Sequence, residues 1–404
     1  MVSLLDNVIR LDDAFMQDPH ALYEQLRTTG PVRPIVLPTR LHAWLVTDYA
    51  EARSALADPT LSKDVVRAGD LIERHLDPGT QRATFATSLS SHMLNTDPPN
   101  HTRLRKLVNK AFTARGIDHL RPRIQEIADE FLDAMAGTEV VDLLEVFAYP
   151  LPITVICEVL GVPVSDREDF RSWSDTLVSN DRSERLTAAA TSMQGYLVQL
   201  IAAKRANPGA DLLSELIQAS DDDDRLTGEE LVSMAFLLLL AGHETTVNLI
   251  GNGILTLLTH PDQLAALRAD FSLLPNTIEE LLRHEGPVSM ATLRFTTEPL
   301  VLGDTEIPAG EFILVGLGAA NRDPARFPDA DRLDITRDPV GHLAFGHGIH
   351  YCVGAPLARL EGEIAIRSLL TRFPDLALAQ ATHTLRWRDS TVIRGLEHLH
   401  LRTR

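Results

Sequence analysis

The sequence predicts a mainly α-helical protein with small β-sheets near its start and its end. Apolar residues recur mostly at helical spacing from Tyr49 to about Gly286. Period-two alternation is confined to short stretches outside that span. One helical pattern, from Thr227 to about Thr259, is too apolar to lie on a surface.

Residues 32–37 and 42–47, VRPIVL and HAWLVT, read as the strands of a hairpin around PTR. Pro59, Pro98-Pro99 and Pro208-Gly209 punctuate the helical span. In LTGEEL, Thr227 and Glu230 match a capping box ahead of the apolar run. The helix they start is roughly thirty residues, ~45 Å at 1.5 Å per residue, so it must cross the middle of the protein. Residues 298–316 read as short strands with Gly/Pro turns, and 319–343 as turn-rich chain. A last helix follows at about 353–372, and the tail 384–402 alternates like strands. Nothing marks a boundary, so residues 1–404 are expected to form a single domain.

An apolar fraction of 44% supports a large core, and a formal charge of −18 argues against nucleic acid as a partner. Two cysteines in 404 residues suit a reducing compartment. The N-terminus lacks a cationic start followed by an apolar stretch, so no signal peptide is expected. The most apolar run, LVSMAFLLLLAG at 231–242, falls short of the ~20 residues a bilayer span needs. It reads as a buried core helix, with no membrane association and a cytoplasmic location expected.

The chemistry concentrates in AFGHGIHYCVGAPLARLEG, residues 344–362. Cys157 lies far away in sequence, so no disulfide framework explains Cys352. Cys352 precedes a helix, whose first N–H groups favour a thiolate. Gly346, Gly348 and Gly354 leave room for a flat, bulky group near the backbone, and Phe345 can shield the sulfur. That pocket suits an axial ligand to haem iron. Three readings compete with it. A lone cysteine is often a small core residue. His347, His350 and Cys352 could hold zinc but lack a fourth ligand. Covalent c-type haem needs Cys-x-x-Cys-His, which is absent.

FGHGIHYCVG resembles the haem-ligand loop of cytochrome P450, Phe-Gly-x-Gly-x-His-x-Cys-x-Gly, and Phe345, Gly346, Gly348, His350, Cys352 and Gly354 all match. The resemblance implies the P450 fold, a long central helix over a buried haem b, and Cys352 as the axial thiolate. Three further signatures occur in order. AGHETT, 241–246, resembles the oxygen-binding motif: Ala241 and Gly242 would leave a groove where the helix opens, Thr245 offers a hydroxyl and Glu244 an acid. Val247 stands where a zinc-protease helix would need a second histidine. Glu280 and Arg283 match Glu-x-x-Arg; they share a helix face, and Arg332 in FPDADRLD is the matching third member of a structural network. Leu333 stands where the family often has Phe. His101, Arg105, Arg294 and His342 are the matching cations for the two haem propionates.

The resemblance extends over essentially the whole chain and points to the soluble bacterial type, in the actinomycete branch with macrolide hydroxylases and a vitamin D3 hydroxylase. It implies monooxygenation, hydroxylation or epoxidation, of a lipophilic macrolide-like, steroid-like or other secondary metabolite, with O2 and electrons from a ferredoxin and its reductase. Thr245 and Glu244 are the proton-relay pair. Leu238, Ala241, Val288, Ala291, Thr292 and Ile393 are the expected substrate wall. Arg103, Lys106 and Lys110 are expected to form the ferredoxin patch, and the protein to act as a monomer. A peroxide-driven enzyme or a haem carrier would need no acid–alcohol pair; these remain the alternatives.

Overall fold

The helix Gly228–Thr259 passes through the middle of the protein, as its composition requires. Thr227 Oγ1 accepts from the Glu230 N–H at 3.1 Å, and Glu230 Oε2 accepts from the Thr227 N–H at 2.9 Å, which closes the capping box. The structure, a computed structural model, describes residues 8–80, 89–112, 117–179, 184–220 and 226–404. Helices Pro150–Leu160, Glu184–Ala206, Leu274–Glu285 and Ala355–Arg372 pack around the central one. By length and composition the central helix could cross a membrane, but 78% of its most apolar window is buried inside the protein.

A six-stranded sheet flanks this helical body, in the order Ile9–Arg10, Val32–Val36, His42–Val46, Phe312–Val315, Arg294–Thr296, Leu61–Ser62. The hairpin pairs Val32 with Val46 and Val36 with His42, as the alternation predicts. Residues 298–316 supply the two-stranded ribbon Leu300–Leu302/Thr305–Ile307 and the strand Phe312–Val315. Ala377–Leu378, His400–Arg402 and Val140–Asp142 form a three-stranded sheet.

The tail departs from expectation. Only His400–Arg402 is a strand; residues 385–399 run as a loop held by isolated bridges, Trp387 to Leu396 and Val288 to Ile393. Its alternation has another cause: Arg388 and Arg394 turn inward to buried carboxylates, Glu244 and Glu285.

The Glu-x-x-Arg pair is buried as a fork. Arg283 Nε and Nη2 donate to Glu280 Oε2 and Oε1 at 2.7 and 2.8 Å, and both residues are at most 1% exposed. Arg283 Nη1 reaches the carbonyls of Asn321 and Ala330, at 2.9 and 2.8 Å. Arg332 is not the third member. It is exposed and gives only its carbonyl, 3.3 Å from Arg283 Nη2. Arg337 takes the place, with Nε 3.4 Å from Glu280 Oε1. The reason is parity: Leu333 and Ile335 point into the core, the same alternation carries Arg337 inward, and Arg332 falls on the outer side.

Arg283→Met strands a buried carboxylate and is expected to destabilise the protein by about 3–5 kcal/mol. Arg332→Ala is expected to stay within about 0.5 kcal/mol of wild type. Urea midpoints of the two variants check this; equal losses would contradict the assignment of Arg337.

Candidate active site

A cavity of about 610 Å³ lies between the central helix and the cysteine loop. On the loop side, the Cys352 N–H donates to the Phe345 carbonyl at 2.9 Å, closing the turn that presents the sulfur. Gly346 and Gly348 have φ of 72° and 73°, the left-handed region that suits glycine. A Cβ on Gly348 would lie 2.7 Å from the Leu56 carbonyl oxygen. Gly348 therefore seats the loop against the helix Tyr49–Ala57 and, contrary to expectation, does not wall the cavity, whereas Phe345, Gly346, His350, Cys352 and Gly354 do. Burial pushes the Cys352 thiol pKa up, against the Gly354 N–H, Arg105 and the Ala355 N–H, which pull it down. The helix N-terminus contributes as expected, but burial outweighs it.

His342 is the second correction. It does not line the cavity; its Nε2 lies 3.0 Å from Glu279 Oε2. Arg359 donates to both oxygens of Glu279, at 2.6 and 2.8 Å, and its guanidinium covers the Phe345 ring at 4.5 Å. This cluster clamps the cysteine loop from outside. Burial alone would raise the Glu279 pKa, but Arg359 and His342 overcome it and hold it at about 2.

The remaining cations do converge. His101 and Arg105, on the helix Asn100–Ala111, line the cavity with Arg294 and His350. The His101 and His350 rings meet edge to face, 4.4 Å between centroids. Burial, then Lys63, His101, Arg294 and Arg105, push the His350 pKa down to about 2. Burial lowers Arg294 to about 10. His101 Nε2 is buried with no hydrogen-bond partner. One end of the cavity thus holds the guanidinium charges of Arg105 and Arg294 beside under-bonded histidines.

On the opposite side, Ala241, Gly242, Glu244 and Thr245 face the cavity from the central helix. That helix is continuous here, so the expected local opening at Gly242 is absent. Gly242 serves close packing instead: a Cβ there would sit 2.8 Å from the Ile156 side chain. Thr245 Oγ1 donates to the Ala241 carbonyl at 2.8 Å. Glu244 is buried rather than turned to solvent. Its Oε2 accepts from Arg388 Nη1 at 3.1 Å, and Arg388 Nη2 donates to Asp175 Oδ1 at 2.7 Å. The Asp175 side chain is 45% exposed, so the chain of contacts ends at the surface. Burial would raise the Glu244 pKa, yet His243 and Arg388 hold it below the ordinary value. Sequence reasoning missed Arg388 and Asp175: one lies in an alternating tail, the other on an amphipathic helix, and neither pattern marks a partner for Glu244.

All six expected wall residues, Leu238, Ala241, Val288, Ala291, Thr292 and Ile393, line the cavity. Met93, Leu94, Leu177 and Val178 join them. Among the predicted patch residues, Arg103 is engaged by Glu230 and Asn100, Lys106 is exposed, and the Lys110 side chain lies outside the described residues.

A family model for cytochrome P450 matches residues 175–383. Cytochrome P450 107B1 of Saccharopolyspora erythraea is 55% identical over 98% of each chain. The chain belongs to the cytochrome P450 family. Vitamin D(3) 25-hydroxylase of Pseudonocardia autotrophica is 50% identical over 95% of this P450 and 94% of that enzyme. The structure of the P450 monooxygenase TamI with tirandamycin C bound superposes with a TM-score of 0.92 at 52% identity, covering 98% of this chain and 100% of TamI. This P450 is a haem-thiolate monooxygenase of the actinomycete branch. Its cavity fits haem on its own chemistry: a thiol opens into it, glycines wall it, and the cluster of cations with an unpartnered His101 Nε2 suits two carboxylates.

Two tests follow from the packing and the clamp. Gly242→Ala is expected to destabilise the protein by about 1–3 kcal/mol through overpacking, and Ile156→Ala in the same chain to recover part of it; thermal unfolding of the pair checks this. Because the folded-state pKa of Glu279 is depressed, its contribution is full above its unfolded value and lost as pH falls toward about 2. Glu279→Gln is expected to flatten the acid limb of the stability curve below about pH 4.5. An unchanged acid limb would remove Glu279 from the clamp.

Proposed function

We propose that Cys352 is the axial ligand and that this P450 oxidises a lipophilic secondary metabolite, macrolide-like or steroid-like, with O2 and electrons from a ferredoxin and its reductase. The observation that carries the reading is the pairing across the cavity of the Cys352 thiol with the acid–alcohol pair Glu244 and Thr245. Haem, when bound, supplies the iron at which dioxygen is reduced and a C–H bond oxidised. His101, Arg105, Arg294 and His350 hold its propionates. Thr245 positions water through its hydroxyl, and Glu244, kept ionised by His243 and Arg388, accepts and passes protons. The buried Glu244 carboxylate, paired with Arg388 and set beside Thr245, favours this reading over a peroxide-driven enzyme or a haem carrier, which need no proton donor at that place.

The apolar wall suits an uncharged lipophilic substrate, with Thr292, Ser390 and Thr391 as its hydroxyl contacts. The relatives named for vitamin D3 and tirandamycin C support that range. Exposed Ile349 and Tyr351 beside Cys352, with Lys106, form the face on which the ferredoxin docks. Residues 1–404 act as a single domain and a monomer in the cytoplasm.

Cys352→Ala is expected to lose the ferrous carbon monoxide band near ~450 nm that marks thiolate-ligated haem. Retention of the band, or wild-type protein without haem, overturns the reading. Thr245→Ala is expected to bind substrate and consume NADPH but to release much of the reducing power as hydrogen peroxide. Wild-type coupling in that variant would assign the water to another group. Arg388→Met leaves His243 alone to oppose burial, so the Glu244 pKa rises and the acid limb of the turnover profile moves to higher pH. A limb that stays in place would separate Glu244 from the relay.

A further inference from the structure

We propose that Lys63 binds a carboxylate at the Arg294 end of the cavity, and that this carboxylate is a haem propionate; the proposal rests on the haem assignment above. Lys63 follows the short strand Leu61–Ser62 and is 4% exposed. Its ammonium donates to Thr292 Oγ1, and Thr292 lines the cavity. Among the described residues, no carboxylate lies within ion-pairing distance of Lys63 Nζ. Asp97 is the acid near enough to favour its charge, but Asp97 is already engaged, Oδ1 by the Lys63 backbone N–H at 2.9 Å and Oδ2 by the Ser62 hydroxyl.

The rest of the neighbourhood is basic. Burial and then Arg294 hold the Lys63 pKa well below that of an ordinary lysine, so its charge lacks a counter-ion, and Lys63 in turn helps to depress the pKa values of His92 and His101. His92 Nδ1 and His101 Nε2 are buried without partners. An ammonium has three N–H donors, and one hydroxyl satisfies one of them. Water could fill the other two but cannot neutralise the charge, and a buried, unpaired cation is among the most expensive groups a protein can carry. The site therefore calls for an anion with several acceptor oxygens. That anion must arrive from the cavity, because Thr292 and Arg294 connect Lys63 to it. A carboxylate meets these terms, and it has two sources, a haem propionate or the acid group of a substrate.

The test compares holoenzymes. Lys63→Met keeps the stem and removes the charge; Lys63→Arg keeps the charge. Haem transfer to excess apomyoglobin is followed by absorbance. A charged hydrogen bond is worth about 1.5–3 kcal/mol, so Lys63→Met is expected to release haem about tenfold faster or more, and Lys63→Arg to stay within about threefold of wild type. Both variants should keep the ~450 nm band, because Cys352 is untouched. Should Lys63→Met fail to accumulate, Lys63→Gln replaces it, with the same faster release expected. Wild-type release rates from the uncharged variants overturn the proposal. In a second arm, dodecanoic acid and its methyl ester are titrated by the spectral shift. An acid-to-ester affinity ratio unchanged by Lys63→Met supports the propionate; a ratio that falls, with haem release unchanged, assigns Lys63 to substrate and overturns it. Wild-type protein lacking the ~450 nm band would instead sink the haem-thiolate reading itself.

Discussion

The uncompensated positive charge at one end of the cavity is the constraint on which the rest of the structure depends. Burying Arg294 and Lys63 beside the half-buried Arg105 is unfavourable unless an anion arrives to meet them. A cofactor with two carboxylates answers that need, and its binding free energy then adds to the stability of the fold around it. The Cys352 thiol opens into the same cavity. Burial pushes its pKa up, so an electropositive centre beside the sulfur would favour the thiolate.

Two carboxylates, one buried and one half-buried, hold the chain in place around this pocket. Glu280 locks the helix Leu274–Glu285 to the irregular segment through Arg283 and Arg337. One residue earlier, Glu279 faces the other way and ties the cysteine loop through Arg359 and His342. Adjacent positions on one helix therefore stabilise two separate stretches of backbone, neither of which has a strand or an α-helix of its own. A third carboxylate, Glu244, is set apart by its route to the surface. Its partner Arg388 comes from the tail and also touches Asp175 on the helix Arg167–Val178, so one guanidinium ties the central helix to that helix.

Much of this was legible in the sequence because periodicity and capping are local. The central helix and its capping box, the first hairpin and the cysteine loop could all be read from neighbouring residues. What escaped depended on long-range partners. His342 and Arg332 looked like site residues by their distance from a motif, but the identity of a partner depends on which way a side chain turns. Parity along 333–337 sends Arg337 inward, and Glu279 captures His342 before it can reach the cavity. Gly242 and Gly348 were read as space for a ligand. Their Cβ positions show that each makes room for another part of the chain instead. Lys63 gave no sign at all, since a single lysine after a two-residue strand reads as solvent-exposed.

The central claim is that the Cys352 sulfur holds the haem iron. The chain has one other cysteine, so Cys157→Ser leaves a single candidate thiol. Resonance Raman spectra of that ferric variant, grown with ordinary and with ³⁴S-labelled cysteine, test the bond directly. The account predicts a low-frequency iron–sulfur stretch that moves down on labelling. A haem-loaded protein whose low-frequency modes ignore the label would contradict it.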